Sequence, residues 1–259
     1  MSLDLYDYSL TAIFLVGLAA IWIAIEVGYR LGERTPGRSG SNIIALESAV
    51  LGLLALMIGF TFAMALTRFE TRRDAILNEA NAIGTTALRA RLLPEPHRTE
   101  VLKLLRDYVD IRLDITQRVA SRSDVFAAVE QSNRLQEALW QQAKTIAAKD
   151  TSMVPTGLFI QSLNDTIDDQ AKRIAVLRNR VPNTVMFALF AVAAIAGAFA
   201  GYASGLDERR SRMPVYLIGP LVACVILLIM DLDRPSAGFI DVSHQPMIDT
   251  AASIRVFVD

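Results

Sequence analysis

Apolar and polar positions divide the chain on a large scale into two long apolar segments, a polar stretch over residues 67–181, and two further apolar segments. A helix of about 20 apolar residues crosses a hydrocarbon core of ~30 Å at ~1.5 Å per residue, so the plan predicts four membrane spans. They fall at residues 9–31, 42–66, 182–204 and 215–230, with a Gly/Pro/Arg connection at 32–41. The first is too long, and too poor in small residues at a cleavage site, for a signal peptide. Pro182 suits the first turn of the third span. Pro220 is expected to kink the fourth, because its ring removes an i to i−4 hydrogen bond that a neighbouring helix must replace.

Within the polar stretch, apolar residues recur at three- and four-residue spacing, which draws one stripe along each of a series of helices. The stripes are Ile76, Ala80, Ile83, Ala87 and Ala90; Leu104, Tyr108, Ile111, Ile115 and Val119; Val125, Val129, Leu135, Leu139 and Ile146; and Ile160, Leu163, Ile167, Ile174, Leu177 and Val181. The first continues out of the second span until Pro94 and Pro96, a Ser121–Ser123 cap signal precedes the third, and the fourth runs straight into the third span. The predicted fold class is all-α: a four-transmembrane-helix membrane protein with a helical insert between spans 2 and 3 and stalk helices continuous with the spans. The expected domains are 1–66 (spans 1 and 2), 67–181 (the extramembrane insert), 182–230 (spans 3 and 4) and 231–259 (a C-terminal extramembrane tail).

Composition agrees: 53% hydrophobic residues and a mean hydropathy of +0.35 exceed the soluble norm, while 20% charged residues require an aqueous part. Net charge is −1 with the signs interleaved, which leaves no electrostatic footprint for nucleic acid. The single cysteine, Cys224, reads as a packing residue of the fourth span.

Charges at the span ends are the first candidate chemistry, because an ionisable group in the membrane faces a bundle interior or a wet cavity. Glu26 and Glu47 lie at similar depth near the 32–41 connection. Arg30 is the helical partner expected for Glu26, and Glu47 is a candidate for a carboxylate ring at a pore entrance. At the other face Asp231, Asp233 and Arg234 meet Arg68, which predicts an interhelical Arg68–Asp231 ion pair or, in an assembly, a selectivity or gating ring. Small residues are the second signal. Gly197, Gly201 and Gly205 in the third span, and Ser48, Gly52 and Gly59 in the second, form faces that let helix backbones approach closely. That assignment leaves the other face of the second span, Val50, Leu54, Met57, Thr61 and Met64, for lipid or for an apolar constriction that gates by dewetting.

Enzyme chemistry finds little support. His97 and His244 are far apart and lack partners at ligand spacing, so neither a metal nor another cofactor is implied. No phosphate-cradling loop or Gly-x-Ser-x-Gly elbow occurs. Asp168 and Asp169, beside Lys172 and Arg173, read as i,i+4 pairing on a solvated face.

The run Glu79-Ala80-Asn81-Ala82-Ile83-Gly84-Thr85, then Leu92-Leu93-Pro94-Glu95-Pro96, Asp231-Leu232-Asp233-Arg234-Pro235 and Val242-Ser243-His244-Gln245-Pro246, resembles bacterial membrane proteins described as bestrophin-like. The resemblance extends over essentially the whole chain. It implies a relation to bestrophins, pentameric ion channels with four membrane helices per subunit and a helical domain continuous with them. The second span departs from a bestrophin neck, offering Phe60 and Phe62 without an adjacent aromatic run, and no acidic calcium clasp stands out.

The expected function is an oligomeric ion channel of the inner membrane, with the bilayer, further copies of itself and inorganic ions as partners. The alternative is a non-conducting scaffold or sensor acting through the insert. Arg34, Arg38, Arg209, Arg210 and Arg212 in the short connections favour the cytoplasm for these, with the insert and both termini expected outside. Arg68, Arg72, Arg73, Lys172, Arg173, Arg178 and Arg180 at the insert's flanks, and bestrophin architecture, argue for the reverse.

Overall fold

The computed structural model describes residues 4–35, 41–117, 122–150, 152–206, 213–235 and 238–257. The expectations that rest on Arg38, Val119, Ser121, Arg209, Arg210 and Arg212, and on the side chains of Ile115, Ser123 and Val125, lie outside the described residues. The helices are α1 (Leu10–Glu33), α2 (Ser41–Ala90), α3 (His97–Gln117), α4 (Arg122–Ala147), α5 (Leu158–Arg178), α6 (Asn183–Gly205), α7 (Met213–Asp233) and α8 (Gln245–Val256). No strand occurs among the described residues. Four stretches are long and apolar enough to cross a membrane, beginning in α1, in α2, ahead of α6, and at α7.

The chain divides into two compact units, one of residues 1–69 with 180–241 and one of residues 70–179 with 242–259. Helix α2 runs through both. Its 50 residues contain no proline, and at ~1.5 Å per residue they extend ~75 Å. It ends at Ala90, ahead of Pro94.

The other stalk does not continue. Helix α5 stops at Arg178, Asn179 is extended, and α6 starts only at Asn183, so residues 179–182 break the path expected to be one helix. The cause is local: Pro182 has no N–H to donate and biases Val181 away from the helical region. Pro182 therefore serves as the N-cap of α6 and lies outside its first turn.

In the first unit α1 opens at Ser9, whose hydroxyl accepts the Ala12 N–H at 3.1 Å. Helices α1 and α6 cross at very close range. A Cβ on Gly28 would fall on the Ala198 carbonyl, one on Gly201 on the Ile25 carbonyl, and one on Gly205 on the Tyr29 carbonyl. Here backbone meets backbone, which a side chain at any of these positions prevents. Helix α7 packs on α1 and remains helical through Pro220. The carbonyl that Pro220 leaves without its helical donor is that of Tyr216, four residues earlier, and the indole N–H of Trp22 on α1 donates to it at 3.3 Å. Gly219 makes the approach possible, since a Cβ there would lie 2.9 Å from Cδ1 of Trp22.

In the second unit the core gathers Ile83, Ala87, Leu105, Tyr108, Leu139, Ile146, Phe159 and Leu163. The face that α3 buries is Val101, Leu102, Leu105, Tyr108, Val109 and Arg112; Leu104 and Ile111, assigned to that stripe from spacing, are only half-buried. On α5 the buried face is largely polar, Ser162, Thr166, Gln170 and Arg173, which apolar periodicity does not register. The stretch expected to be a tail forms α8, which buries Met247, Ala251 and Ile254 in this core. Arg106 donates to the carbonyls of Ile254 and Phe257 at the end of α8, and Arg91 lies 4.7 Å from the centre of the Phe257 ring.

Candidate functional site

The second span shows the largest difference from the sequence-based assignment. The face of α2 that turns into the first unit carries Val50, Leu54, Met57 and Thr61; Leu54 and Thr61 are buried and the other two half-buried. Thr61 returns its hydroxyl to the Met57 carbonyl at 2.7 Å. The small-residue face is the open one: a Cβ on Gly52 or on Gly59 would meet none of the described residues within 4 Å. Beside them Leu53, Leu56 and Phe60 are exposed, and Met64 lies at the edge. Within the subunit Val50, Leu54, Met57 and Thr61 therefore turn inward, while the small-residue face and Met64 turn outward. Branched and long side chains fill the space against α2's neighbours, whereas the small residues find no backbone to approach.

A polar cluster closes one end of this unit. The Asp233 carboxylate is fully buried and accepts the Val181 N–H at 2.7 Å and the Tyr6 hydroxyl. The same Tyr6 hydroxyl is 3.2 Å from the Val181 carbonyl, and the Arg180 guanidinium lies 4.8 Å from the centre of the Tyr6 ring. Burial, and then the Asp233 carboxylate, push the Tyr6 phenol above its ordinary pKa. In place of the expected Arg68–Asp231 pair, Arg68 Nε lies 4.0 Å from Asp233. Asp231 accepts the N–H groups of Phe239 and Ile240 at 2.7 and 2.9 Å. The reason is helical phase, since two residues turn a side chain by ~200°. Arg234 donates to the Tyr8 carbonyl at 2.6 Å. These contacts fold Tyr6, Tyr8, Arg180 and Val181 onto the end of α7, and hydropathy carries no trace of them.

At the other end of α1, Glu26 and Arg30 pair at 2.5 Å, and Tyr216 donates its hydroxyl to Glu26. Glu47 is half-buried.

The second unit holds a buried ion cluster that the sequence did not disclose. Glu79 on α2 pairs with Arg112 on α3 at 2.8 Å and with Arg173 on α5 at 2.6 Å, and it accepts the Tyr108 hydroxyl at 3.1 Å. Gln170 extends the network: its Oε1 lies 2.8 Å from the same Tyr108 hydroxyl, which has one proton to share between Glu79 and Gln170, and its amide donates to Asn133 at 3.0 Å. Burial alone raises the Glu79 carboxyl; Arg112, then Arg173, outweigh it and hold it below the ordinary carboxylate range. Arg173 is therefore no partner of Asp169 on a solvated face. The only advance signal was Glu79 itself, a charge on the stripe side of α2 next to Ala80 and Ile83. His97 bonds Gln142 at 2.8 Å, and no metal-ligating trio converges among the described residues.

Four apolar spans carried by an all-helical chain, with a helical unit grown from the second, define a polytopic helical membrane protein. The chain belongs to the Bestrophin-like family, whose domain model matches residues 13–247. At family level this is a channel-type membrane protein. The fold is that of a bacterial bestrophin homologue from Klebsiella pneumoniae, with a TM-score of 0.70 at 16% identity over 95% of this chain and 97% of that one. A further structure, described only as a membrane protein, gives 0.68 at 17% identity over 95% and 96%. No curated protein sequence matches the chain.

Proposed function

We propose that the chain conducts ions as a homo-oligomer, with the open face of α2 turned toward the other copies and the conduction path. The observation that carries this reading is the exposure of Gly52, Gly59, Leu53, Leu56 and Phe60 on one helix while the opposite face fills the subunit core. The glycines suit close helix contact between copies, and the large apolar side chains suit a constriction that excludes water until it widens. Glu47, half-buried near the start of α2, supplies a carboxylate to one mouth in this arrangement.

Purified full-length protein in liposomes tests the reading. Wild type is expected to pass ions, and Phe60→Ala or Leu56→Ala to change flux by several fold. Absence of flux at every voltage and salt, or a monomer or two-fold dimer by mass, overturns it in favour of a scaffold or sensor. The exposed Leu88, Leu92, Phe126 and Met153 of the second unit are what a partner of such a scaffold would cover.

For orientation we take the insert and termini as outside the inner membrane, on the charge of the short connections. Ser132 is buried, so the accessible probe is Gln131→Cys in a Cys224→Ser background. Labelling by an impermeant maleimide in intact cells is expected, and labelling only after permeabilisation reverses the assignment.

A further inference from the structure

We propose that the groove between α1 and α7 is a phospholipid site, in which Arg30 holds the headgroup phosphate while Trp22, Ile23 and Val27 hold an acyl chain. The groove has a volume of about 540 Å³ and is lined by these four residues with Glu26 and Tyr216. Its polarity is graded along the helix. Trp22 and Ile23 are at the apolar end, and Arg30, eight residues or ~12 Å further, is in the last turn before Glu33. A glycerophospholipid has the same gradient in the same direction, from hydrocarbon through glycerol to phosphate.

Three features show a wall formed in advance. The Trp22 ring is fixed on both sides: its N–H is committed to the Tyr216 carbonyl freed by Pro220, and its edge rests on Gly219. Tyr216 in turn donates to Glu26, which aligns Arg30 through Nε at 2.5 Å. Among the described residues the terminal nitrogens of Arg30 have no partner, and its side chain is 67% exposed. A guanidinium in the last turn of a membrane span is poorly hydrated on its hydrocarbon side, so its open donors need an acceptor. The phosphodiester oxygens lie at that depth and match the planar donor fork. Trp22 and Tyr216 also have the amphipathic character that holds aromatic rings at the headgroup level. The site does not depend on the conduction reading, since it uses α1 and α7 while that reading uses the open face of α2.

Native mass spectrometry of the full-length protein in detergent, titrated with phosphatidylglycerol, tests the proposal. Arg30→Gln is expected to weaken the first lipid adduct about tenfold or more, the usual weight of a charge-assisted hydrogen bond. Arg134→Gln makes the same change of charge on α4, outside this unit, and is expected to leave binding unchanged. Val27→Trp fills the groove from an exposed position and is expected to reduce the adduct even if Arg30→Gln fails to fold. Wild-type affinity in both groove variants, or an equal loss in Arg134→Gln, overturns the proposal. Displacement of the lipid by millimolar inorganic phosphate also overturns it, as would oxidative cross-linking of Ile23→Cys between copies in a Cys224→Ser background.

Discussion

The Asp233 carboxylate accepts the backbone N–H of Val181 at 2.7 Å, and the bond lies where the chain fails to continue from α5 into α6. The break frees an N–H that no helix can use, and a side chain from the last residue of α7 satisfies it. Replacing Asp233 with Ala leaves that N–H without its acceptor in a buried place and leaves the Tyr6 hydroxyl only the longer contact to the Val181 carbonyl at 3.2 Å. A loss of about 2–4 kcal/mol is expected, from two bonds to a charged group at ~1.5–3 kcal/mol each with partial relaxation. Arg68→Ala is expected to cost less, because its ion-pair distance of 4.0 Å is at the limit of contact. Thermal unfolding of the two variants in detergent checks the order, and equal losses would remove Asp233 from its central place.

Among the described residues Glu79 is the one carboxylate paired with Arg112 and Arg173, so removing it leaves two buried guanidiniums facing each other. Glu79→Ala is expected to cost about 3–5 kcal/mol, the usual result of breaking a buried ion pair from one side. The folded carboxyl titrates below its ordinary 4.5. Its contribution is therefore complete above that value and is lost as pH falls through the depressed folded pKa. In a Trp22→Phe background Trp140 is the sole tryptophan and lies against this core. Its emission is expected to report acid unfolding that begins at higher pH in Glu79→Gln than in the parent, and coincident acid limbs would contradict the assignment.

The Trp22 N–H and Pro220 are coupled through one carbonyl. Trp22→Phe removes the donor that replaces the missing helical bond of Tyr216, at an expected cost of about 1–3 kcal/mol. Pro220→Ala restores a backbone N–H at the same place. In the double variant the cost of Trp22→Phe is expected to shrink by about 1 kcal/mol or more, a coupling that a double-mutant cycle measures directly. Additive losses would show that the indole acts by packing alone.

Glycines in the two membrane faces are expected to respond differently to the same substitution. Gly201→Ala places a methyl on the Ile25 backbone and is expected to lower the thermal midpoint of the subunit, by the ~1–3 kcal/mol of an overpacked core or more. Gly52→Ala and Gly59→Ala meet open space within the subunit and are expected to leave that midpoint unchanged while shifting the equilibrium between copies. Size-exclusion light scattering separates the two effects. Loss of subunit stability in Gly59→Ala would place a neighbour where none of the described residues lies.

Much of the architecture was legible in the sequence. A run of apolar residues long enough to cross a bilayer has few alternatives, because in hydrocarbon every backbone polar group must bond within its own helix. The course of α2 from span to insert followed from the absence of proline before Pro94. Local pairing was legible too: Glu26 and Arg30, four residues apart on one helix, meet as the helical repeat requires.

What the sequence could not determine were the relations between helices. Apolar spacing shows that α2 has faces but not which face looks inward, since lipid and protein interior are equally apolar; Leu54 and Thr61 turned in, Gly52 and Gly59 out. Buried polar groups gave no hydropathy signal, so the Glu79 cluster, the polar face of α5 and the Tyr6–Asp233 closure emerged only when distant segments met. The same holds for Arg68, which reached Asp233 and not Asp231, a choice set by rotation about α7. Hydrophobicity and proline fixed the elements because those constraints act along one chain segment. Partner and face depended on packing and charge between segments, and those are properties of the tertiary structure.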